Sequence, residues 1–458
     1  MLAELRSLNE ECGVFGVWNH PRASQLAYYA LHSLQHRGQE GAGIVTTDGY
    51  TLRIRKGQGL VTEVFTAEYI DKLHGTGAIG HVRYSVGGVN GSENVQPLLF
   101  RSQNGDIAIA HNGNITNSTV LRRMLEEEGR IFQTESDAEI LAHLTKRGGN
   151  APPLTERLMT ALRQLEGSYA FVILTEDTLY AALDPYGLRP LALGRVGEGY
   201  VVASETCAFD LIGADYVRDV QPGEFIAIDA AGVHSTHFAG GKKQALCAME
   251  YVYFSRPDSN LCGMNVHTAR KKLGKALAKE HPITADVVTG VPDSSLSAAI
   301  GYAEAAGLPY ELGLIKSRYV GRTFIEPSQP LREQGVKLKL SAVRGVVEGK
   351  RVIMVDDSFV RGTTSRRITK MLKDVGAAEV HVLIASPPIK YPCFYGMDTL
   401  STEELAAANC DVEEMRAMIG ADSLRFLSVE KMQEVLGCGL CLACFTGRYP
   451  TKESDDLV

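Results

Sequence analysis

One stretch constrains the fold more than any other: Arg351-Val-Ile-Met-Val-Asp-Asp-Ser-Phe-Val-Arg-Gly-Thr-Thr364. The apolar run 352–355 meets two adjacent carboxylates and a glycine-containing turn, after which Ile368, Met371, Leu372 and Val375 recur at spacings of three and four. This reads as a buried strand, a polar loop at its carboxyl end, and an amphipathic helix that Thr363 and Thr364 are placed to cap. Strand, loop and helix in that order build a parallel sheet, whose ligands sit at the strands' carboxyl ends. A helix amino terminus offers free N–H groups and a positive dipole end to a phosphate. Asp356 and Asp357 suit sugar hydroxyls, or a magnesium ion bridging to a pyrophosphate. The blander alternative is a turn with two solvated acids.

The rest of the second half repeats the pattern. A helix is expected over 266–280, with strands at 286–291, 311–316, 351–356 and 379–385. The first half differs: strands at 13–18, 41–46, 78–84, 107–111, 169–174 and 179–183 are interspersed with helices near 26–34, 117–128, 137–147 and 154–165. Many strands with few crossover signals predict a layered antiparallel domain. The composition shifts at His237-Phe-Ala-Gly-Gly-Lys-Lys243, so the expected division is residues 12–240 and 241–458, preceded by an N-terminal piece of eleven residues. The 458 residues allow two or three domains. A formal charge of −7 gives no electrostatic footprint for nucleic acid. No apolar run approaches the roughly 20 residues of a membrane span, and the first eleven residues are too short and acidic for a signal peptide. Nine cysteines without an export signal point to reduced thiols, metal ligation or catalysis in a cytoplasmic protein.

Five motifs occur in order in the first half: Cys12-Gly-Val-Phe-Gly16, Gln35-His-Arg-Gly-Gln-Glu-Gly41, His81-Val-Arg-Tyr-Ser85, His111-Asn-Gly-Asn114 and Ser136-Asp-Ala-Glu139. Together they resemble the amino-terminal-nucleophile glutaminase domain of the class II glutamine amidotransferases, which implies a four-layer αββα fold. A cysteine thiolate is a good nucleophile, and a free α-amine of pKa about 7.7–8.0 can serve as its base. That requires Cys12 to become residue one, so residues 1–11 are expected to be a propeptide removed after Glu11. The resemblance assigns Arg83 to the glutamine α-carboxylate, Asp137 to its α-ammonium, and Asn112 with Gly113 to the oxyanion hole. Val86 stands where relatives often carry threonine and is given no role.

The Asp356-Asp357 loop in turn resembles the phosphoribosyl pyrophosphate (PRPP) loop of type I phosphoribosyltransferases. That resemblance puts the 5′-phosphate on Val360, Arg361, Gly362, Thr363 and Thr364, with a magnesium ion held by Ser294, Asp356 and Asp357. Ser294 in Val288-Thr-Gly-Val-Pro-Asp-Ser-Ser295 is equally readable as a turn serine, and Gly290 as a point of close approach to pyrophosphate. The long segment 316–332, with two prolines and three arginines, resembles the family's closing loop and ammonia channel. An exposed basic loop is the alternative there.

Nearly the whole chain thus resembles the amidophosphoribosyltransferases of the iron–sulfur type. The implied reaction converts glutamine and PRPP to 5-phosphoribosylamine, glutamate and pyrophosphate, the first committed step of purine synthesis. Feedback inhibition by purine nucleotides and a homotetramer are implied by the same resemblance.

Cys438, Cys441 and Cys444 have the C-x₂-C spacing of a thiolate metal site. Cys247 and Cys393 are the natural distant partners. The resemblance favours a [4Fe–4S] cluster on Cys247, Cys393, Cys441 and Cys444; a four-cysteine zinc site has the same sequence signature, and spacing alone leaves Cys438 open. Two other classes compete: a PRPP-sensing regulator, disfavoured by the acidic charge and the complete glutaminase set, and a glutaminase serving another synthase, disfavoured by the Asp356-Asp357 loop.

Overall fold

The computed structural model describes residues 12–84, 91–103, 105–147, 152–240, 242–316, 340–397, 399, 401–437 and 439–451. Residues 1–11, expected to be a propeptide, Val86, the segment beyond Lys316 up to residue 332, Cys438 and the tail after Thr451 fall outside them.

The first half is two antiparallel sheets face to face. Strands β1 (Gly13–Trp18), β2 (Gly41–Thr47), β3 (Leu52–Gln58), β4 (Gly77–Arg83), β5 (Leu98–Phe100), β6 (Ile107–Ile115), β7 (Gly167–Leu174), β8 (Leu179–Leu183), β9 (Ala192–Val196), β10 (Gly199–Ala203), β11 (Asp215–Asp219), β12 (Glu224–Asp229) and β13 (Gly232–His237) form them. One sheet runs β11-β9-β10-β1-β4-β2-β3 and the other β13-β12-β8-β7-β6-β5.

Strand alternation decides the layering. Val14 and Ile79 point into the inter-sheet core with Ala110, Val172 and Ala181, whereas Phe15 and Val82 point outward against Leu31 and Leu34. Gly16 belongs to the inner set: a side chain there would meet Val172 and Val202 within 3 Å. On the far face of the second sheet, Ile109 and Phe171 pack against the helices Ser118–Glu127, Asp137–Arg147 and Leu154–Leu162. The expected αββα order is the observed one. The first half therefore has three apolar cores, one inside the sandwich and one under each helical layer.

Past Phe238, which is still in the first-half core, the chain crosses to Ala245 in the second-half core. There a parallel sheet runs Val287–Gly290, Arg351–Asp356, Glu379–Ile384 and Ser423–Phe426. Its two faces separate the apolar residues as buried parallel strands require: Ile353 and Val355 on one side with the helices Val266–Glu280 and Leu296–Ala306, Val352 and Met354 on the other with Thr363–Asp374 and Val412–Ile419. The first helix pair crosses very closely, since a side chain on Gly274 or Gly301 would strike backbone carbonyls of the opposite helix.

Two expectations are corrected. The stretch expected as a parallel strand over 311–316 is a three-residue strand, Leu314–Lys316, pairing antiparallel with Leu340–Ala342; just before it, Tyr310 forms an isolated parallel bridge to Val288. And no threonine caps the helix after the Asp-Asp loop. It starts at Thr363, with Gly362 in the cap position at φ +74°, where a Cβ would meet the Phe359 ring at 2.7 Å. Among the described residues no helix is long and apolar enough to cross a membrane.

Candidate active site

Cys12 lies immediately before β1, on the inward-facing side of the alternation. Its Sγ donates to the carbonyl of Tyr84 (3.3 Å) and accepts from the Tyr84 N–H (3.4 Å), so the thiol sits against the end of β4. Three residues before Tyr84, Nε2 of His81 lies 3.2 Å from the carbonyl oxygen of His111, tying β4 to β6 directly before Asn112. Arg83, buried, donates to the Gly91 carbonyl at 3.2 Å.

Asn112 is buried, and its side-chain Nδ2 has no hydrogen-bond partner among the described residues. A buried amide donor left unmade is costly, and is what an oxyanion hole presents before its ligand arrives. Gly113 has φ +136°, and a Cβ would lie 2.1 Å from the carbonyl oxygen of Ser168, so only glycine fits. Asp137 opens its helix and accepts from the Ile115 N–H at 2.9 Å; burial pushes its carboxyl up to about 6. The residues expected to serve glutamine thus converge on one end of the sandwich. His81 and His111 are driven down to about 3 and about 4, burial being the largest cause, so both imidazoles stay neutral at neutral pH.

The second candidate centre is a cavity of about 670 Å³ at the carboxyl ends of the parallel strands. Ser294, Asp356, Asp357, Val360, Arg361, Gly362, Thr363 and Thr364 all line it, as do Tyr253, Ser255, Arg256 and Arg270. Asp357 accepts from the hydroxyls of Ser294, Ser295 (3.3 Å) and Ser358 (2.5 Å), and Asp356 from Ser295 at 3.0 Å. Burial and the neighbouring carboxylate push Asp356 up to about 8, and burial raises Asp357 as well. Two adjacent buried carboxyls that resist ionising together are a hard-oxygen pair suited to a divalent cation. Arg361 is paired with Glu404. The space beside Gly290 is filled by Ser295, Leu296 and Ala299, so that glycine serves helix packing.

Ser295, Ser358 and Arg270 were not singled out from sequence, and the paired Ser294-Ser295 is the one signal that pointed near them. More was missed at Gln35-His-Arg-Gly-Gln-Glu-Gly41. His36 and Gln39 line the Asp356–Asp357 cavity, while Nε of Arg37 donates to the carbonyl oxygen of Cys12 at 3.1 Å. The motif reaches both centres.

The cysteines come from three stretches. Leu246–Cys247 pairs in parallel with Leu440–Cys441, placing Cys247 opposite Cys441. The carbonyl of Cys444 accepts from the N–H groups of Lys390 (2.9 Å) and Tyr391 (3.1 Å), bringing the Cys393 stretch alongside. Burial pushes the Cys441 thiol up to about 12, with Cys393 adding to it; Cys444 is raised by burial and then by Cys393 and Cys441. Among the described residues no three His, Cys, Asp or Glu side chains form a grip for a metal ion.

Residues 81–210 match the glutamine amidotransferase domain family. Over its full length the chain is 63% identical to the amidophosphoribosyltransferase of Bacillus subtilis (strain 168), covering 98% of that protein. It is 53% identical to that of Staphylococcus aureus (strain MRSA252) over 97% of this chain and 91% of the relative. The chain belongs to the amidophosphoribosyltransferase family. A solved structure of the B. subtilis glutamine PRPP amidotransferase complexed with ADP and GMP superimposes with a TM-score of 0.94 at 62% identity, covering 98% of this chain and 99% of that one. An amidophosphoribosyltransferase transfers ammonia from glutamine to PRPP, giving 5-phosphoribosylamine, glutamate and pyrophosphate, and this is the reaction of the chain. It combines a glutaminase half with a phosphoribosyltransferase half.

Proposed function

We propose that Cys12, freed by removal of residues 1–11, is the nucleophile of the glutaminase half-reaction, and that residues 12–240 and 241–458 are the two catalytic units. The thiolate attacks the glutamine amide carbon, the α-amine of Cys12 shuttles the proton, and the tetrahedral oxyanion is received by Nδ2 of Asn112 and the N–H of Gly113. Ammonia leaves, and water then hydrolyses the thioester to glutamate. Arg83 and Asp137 hold the two ends of the glutamine zwitterion. The unpartnered Nδ2 of buried Asn112 supports this reading.

Ammonia attacks C1 of PRPP as the bond to pyrophosphate breaks. The turn of Val360, Arg361, Gly362, Thr363 and Thr364 receives the 5′-phosphate at a helix amino terminus. Asp356, Asp357 and Ser294 hold the magnesium ion, which when bound neutralises charge on the departing pyrophosphate. Purine nucleotides, which carry the same ribose phosphate, compete at this turn; the relative complexed with ADP and GMP supports that reading. The assembly is a homotetramer.

Cys247, Cys393, Cys441 and Cys444 carry a [4Fe–4S] cluster. The pairing of Cys247 with Cys441 and the placing of the Cys393 stretch beside Cys444 support it. Zinc on the same thiols is the alternative; iron and acid-labile sulfide content with visible absorption separates the two.

One observation carries the functional reading: a single motif supports the nucleophile through Arg37 and walls the Asp356–Asp357 cavity through His36 and Gln39. The deciding experiment is glutamate release by anaerobically purified protein with and without PRPP and magnesium. PRPP-stimulated release that Cys12→Ala abolishes is expected; release indifferent to PRPP would refute the pairing of sites.

A further inference from the structure

The guanidinium of Arg37 is fully buried and shared between the two halves. Besides the Cys12 carbonyl, it donates through Nη1 to Glu205 (2.6 Å) and Glu250 (3.0 Å) and through Nη2 to Glu250 (2.7 Å). Both carboxylates are fully buried as well. Glu205 belongs to the first half; His36 of the same half (2.6 Å) and Ser259 of the second half (2.6 Å) also hold it. Glu250 belongs to the second half and opens the turn Glu250–Phe254.

That turn leads straight to the phosphoribosyl cavity. Oγ of Ser255 donates to Glu250 at 2.7 Å, and Ser255 lines the cavity. Arg270 clamps the turn, donating to the carbonyls of Tyr251 (2.7 Å), Tyr253 (3.0 Å) and Ser255 (2.7 Å). Arg270 lines the same cavity, and its charge acts on Asp357. One unbroken series of hydrogen bonds therefore runs from the cavity wall to the backbone of the nucleophilic residue. A forked arginine–carboxylate pair fixes the plane of the guanidinium, so a shift of the turn reorients Arg37 and with it Cys12. Reacting groups displaced by about 1 Å lose up to 10²-fold in rate.

We infer that Glu250 is a positioning residue for glutamine hydrolysis, through which occupancy of the phosphoribosyl cavity reaches Cys12 by way of Arg37. The inference rests on the reading of Cys12 as nucleophile and of the cavity as the PRPP site. Glu250 touches neither substrate. Its role is to make the geometry at Cys12 depend on the wall of the other site.

The test uses the full chain with Glu250→Gln, Glu250→Asp, Ser255→Ala and the Glu250→Gln/Ser255→Ala pair. Three quantities are read: glutamine hydrolysis with and without PRPP and magnesium, phosphoribosylamine formation from PRPP with free ammonia, and the rate of Cys12 alkylation by iodoacetamide with and without PRPP. Glu250→Gln is expected to lose about fivefold or more of the PRPP stimulation of hydrolysis, and PRPP should no longer change its alkylation rate. Ammonia-dependent synthesis is expected to persist, Glu250→Asp to recover most of the stimulation, and the double variant to be no worse than Glu250→Gln alone. Wild-type stimulation in Glu250→Gln overturns the inference, as does equal loss of the hydrolytic and ammonia-dependent reactions. If Glu250→Gln does not fold, Ser255→Ala decides: unchanged stimulation and alkylation there overturn it. Glutamine hydrolysis surviving Cys12→Ala would instead defeat the underlying assignment of the nucleophile.

Discussion

The side-chain amide of Asn114 donates to the carbonyl oxygen of Phe394 across 2.9 Å, joining the glutaminase strand β6 to the residue after Cys393. Next to it Oγ of Ser168 donates to the Tyr395 carbonyl at 2.7 Å and accepts from the Asn114 N–H at 3.1 Å. The cysteine segment is therefore a brace for the strand that carries Asn112 and Gly113. Ser168→Ala removes the middle of that brace, with a stability loss of about 1–3 kcal/mol for the buried groups left unmade. Its glutamine kcat should fall while ammonia-dependent synthesis is retained. A thermal melt and parallel assays with the two nitrogen donors check this; equal loss with both donors would contradict the brace.

Removing the oxyanion donor proposed at Asn112 isolates the first half-reaction. Asn112→Ala is expected to lower kcat for glutamine about 10²–10³-fold with ammonia-dependent synthesis unchanged. Glutamate release under saturating glutamine measures it. A change in KM alone would place Asn112 in substrate binding instead.

Glutamine use should fail on the acid side because of Asp137. Its carboxyl is raised to about 6 by burial, and the clamp on the glutamine ammonium proposed for it needs the ionised form. Activity is thus present above that value and lost as pH falls through it. The kcat/KM for glutamine should decline about tenfold per unit below the transition, as for loss of one essential ionised group. Asp137→Asn should lower kcat/KM throughout and abolish this limb. A limb that survives the substitution would assign it to another group.

The Asp356–Asp357 pair separates function from stability. In the absence of a divalent cation the two buried carboxyls oppose each other's ionisation, so Asp356→Asn relieves a conflict and is expected to leave Tm unchanged or raised. Magnesium should raise Tm of the parent chain in the presence of PRPP and fail to do so in the variant, and synthesis with either nitrogen donor should be lost. A large drop in Tm without magnesium would show that the pair is held together by something other than a cation.

Long, amphipathic elements were legible from sequence. The Val266–Glu280 helix has an apolar stripe and an Asn265 cap whose side chain accepts from the Thr268 N–H at 3.1 Å, and its limits match the periodicity. The short strands Ala192–Val196, Gly199–Ala203 and Asp215–Asp219 were not, because their pattern is mixed and their order in the sheet is set by distant partners. The apolar stretch ending at Lys316 reads as a strand, yet nothing in it specifies an antiparallel partner. The threonine cap failed for a local reason: Gly362 turns the chain in the left-handed region against Phe359 and moves both threonines inside the helix. Cys12, Asn112 and Asp137 could be grouped only by resemblance, since spacing does not tell that β4 and β6 meet through His81 and His111. Buried networks are the least legible. Glu205, Glu250 and Arg270 carry no motif, and their partners are far away in the chain.

The burial of Arg37 between carboxylates of both halves has a practical consequence for dissecting the molecule. A fragment ending near residue 240 would keep the five glutaminase motifs and Glu205 but leave behind Glu250, which takes two of the guanidinium's hydrogen bonds. Breaking one side of a buried ion pair typically costs about 3–5 kcal/mol, and here the loss falls on the residue that holds the backbone of Cys12. The seam in composition is consequently a poor place to cut. An isolated front fragment would report on a glutaminase half whose Cys12 backbone has slackened, and its low activity would be a property of the cut rather than of the enzyme's intrinsic chemistry.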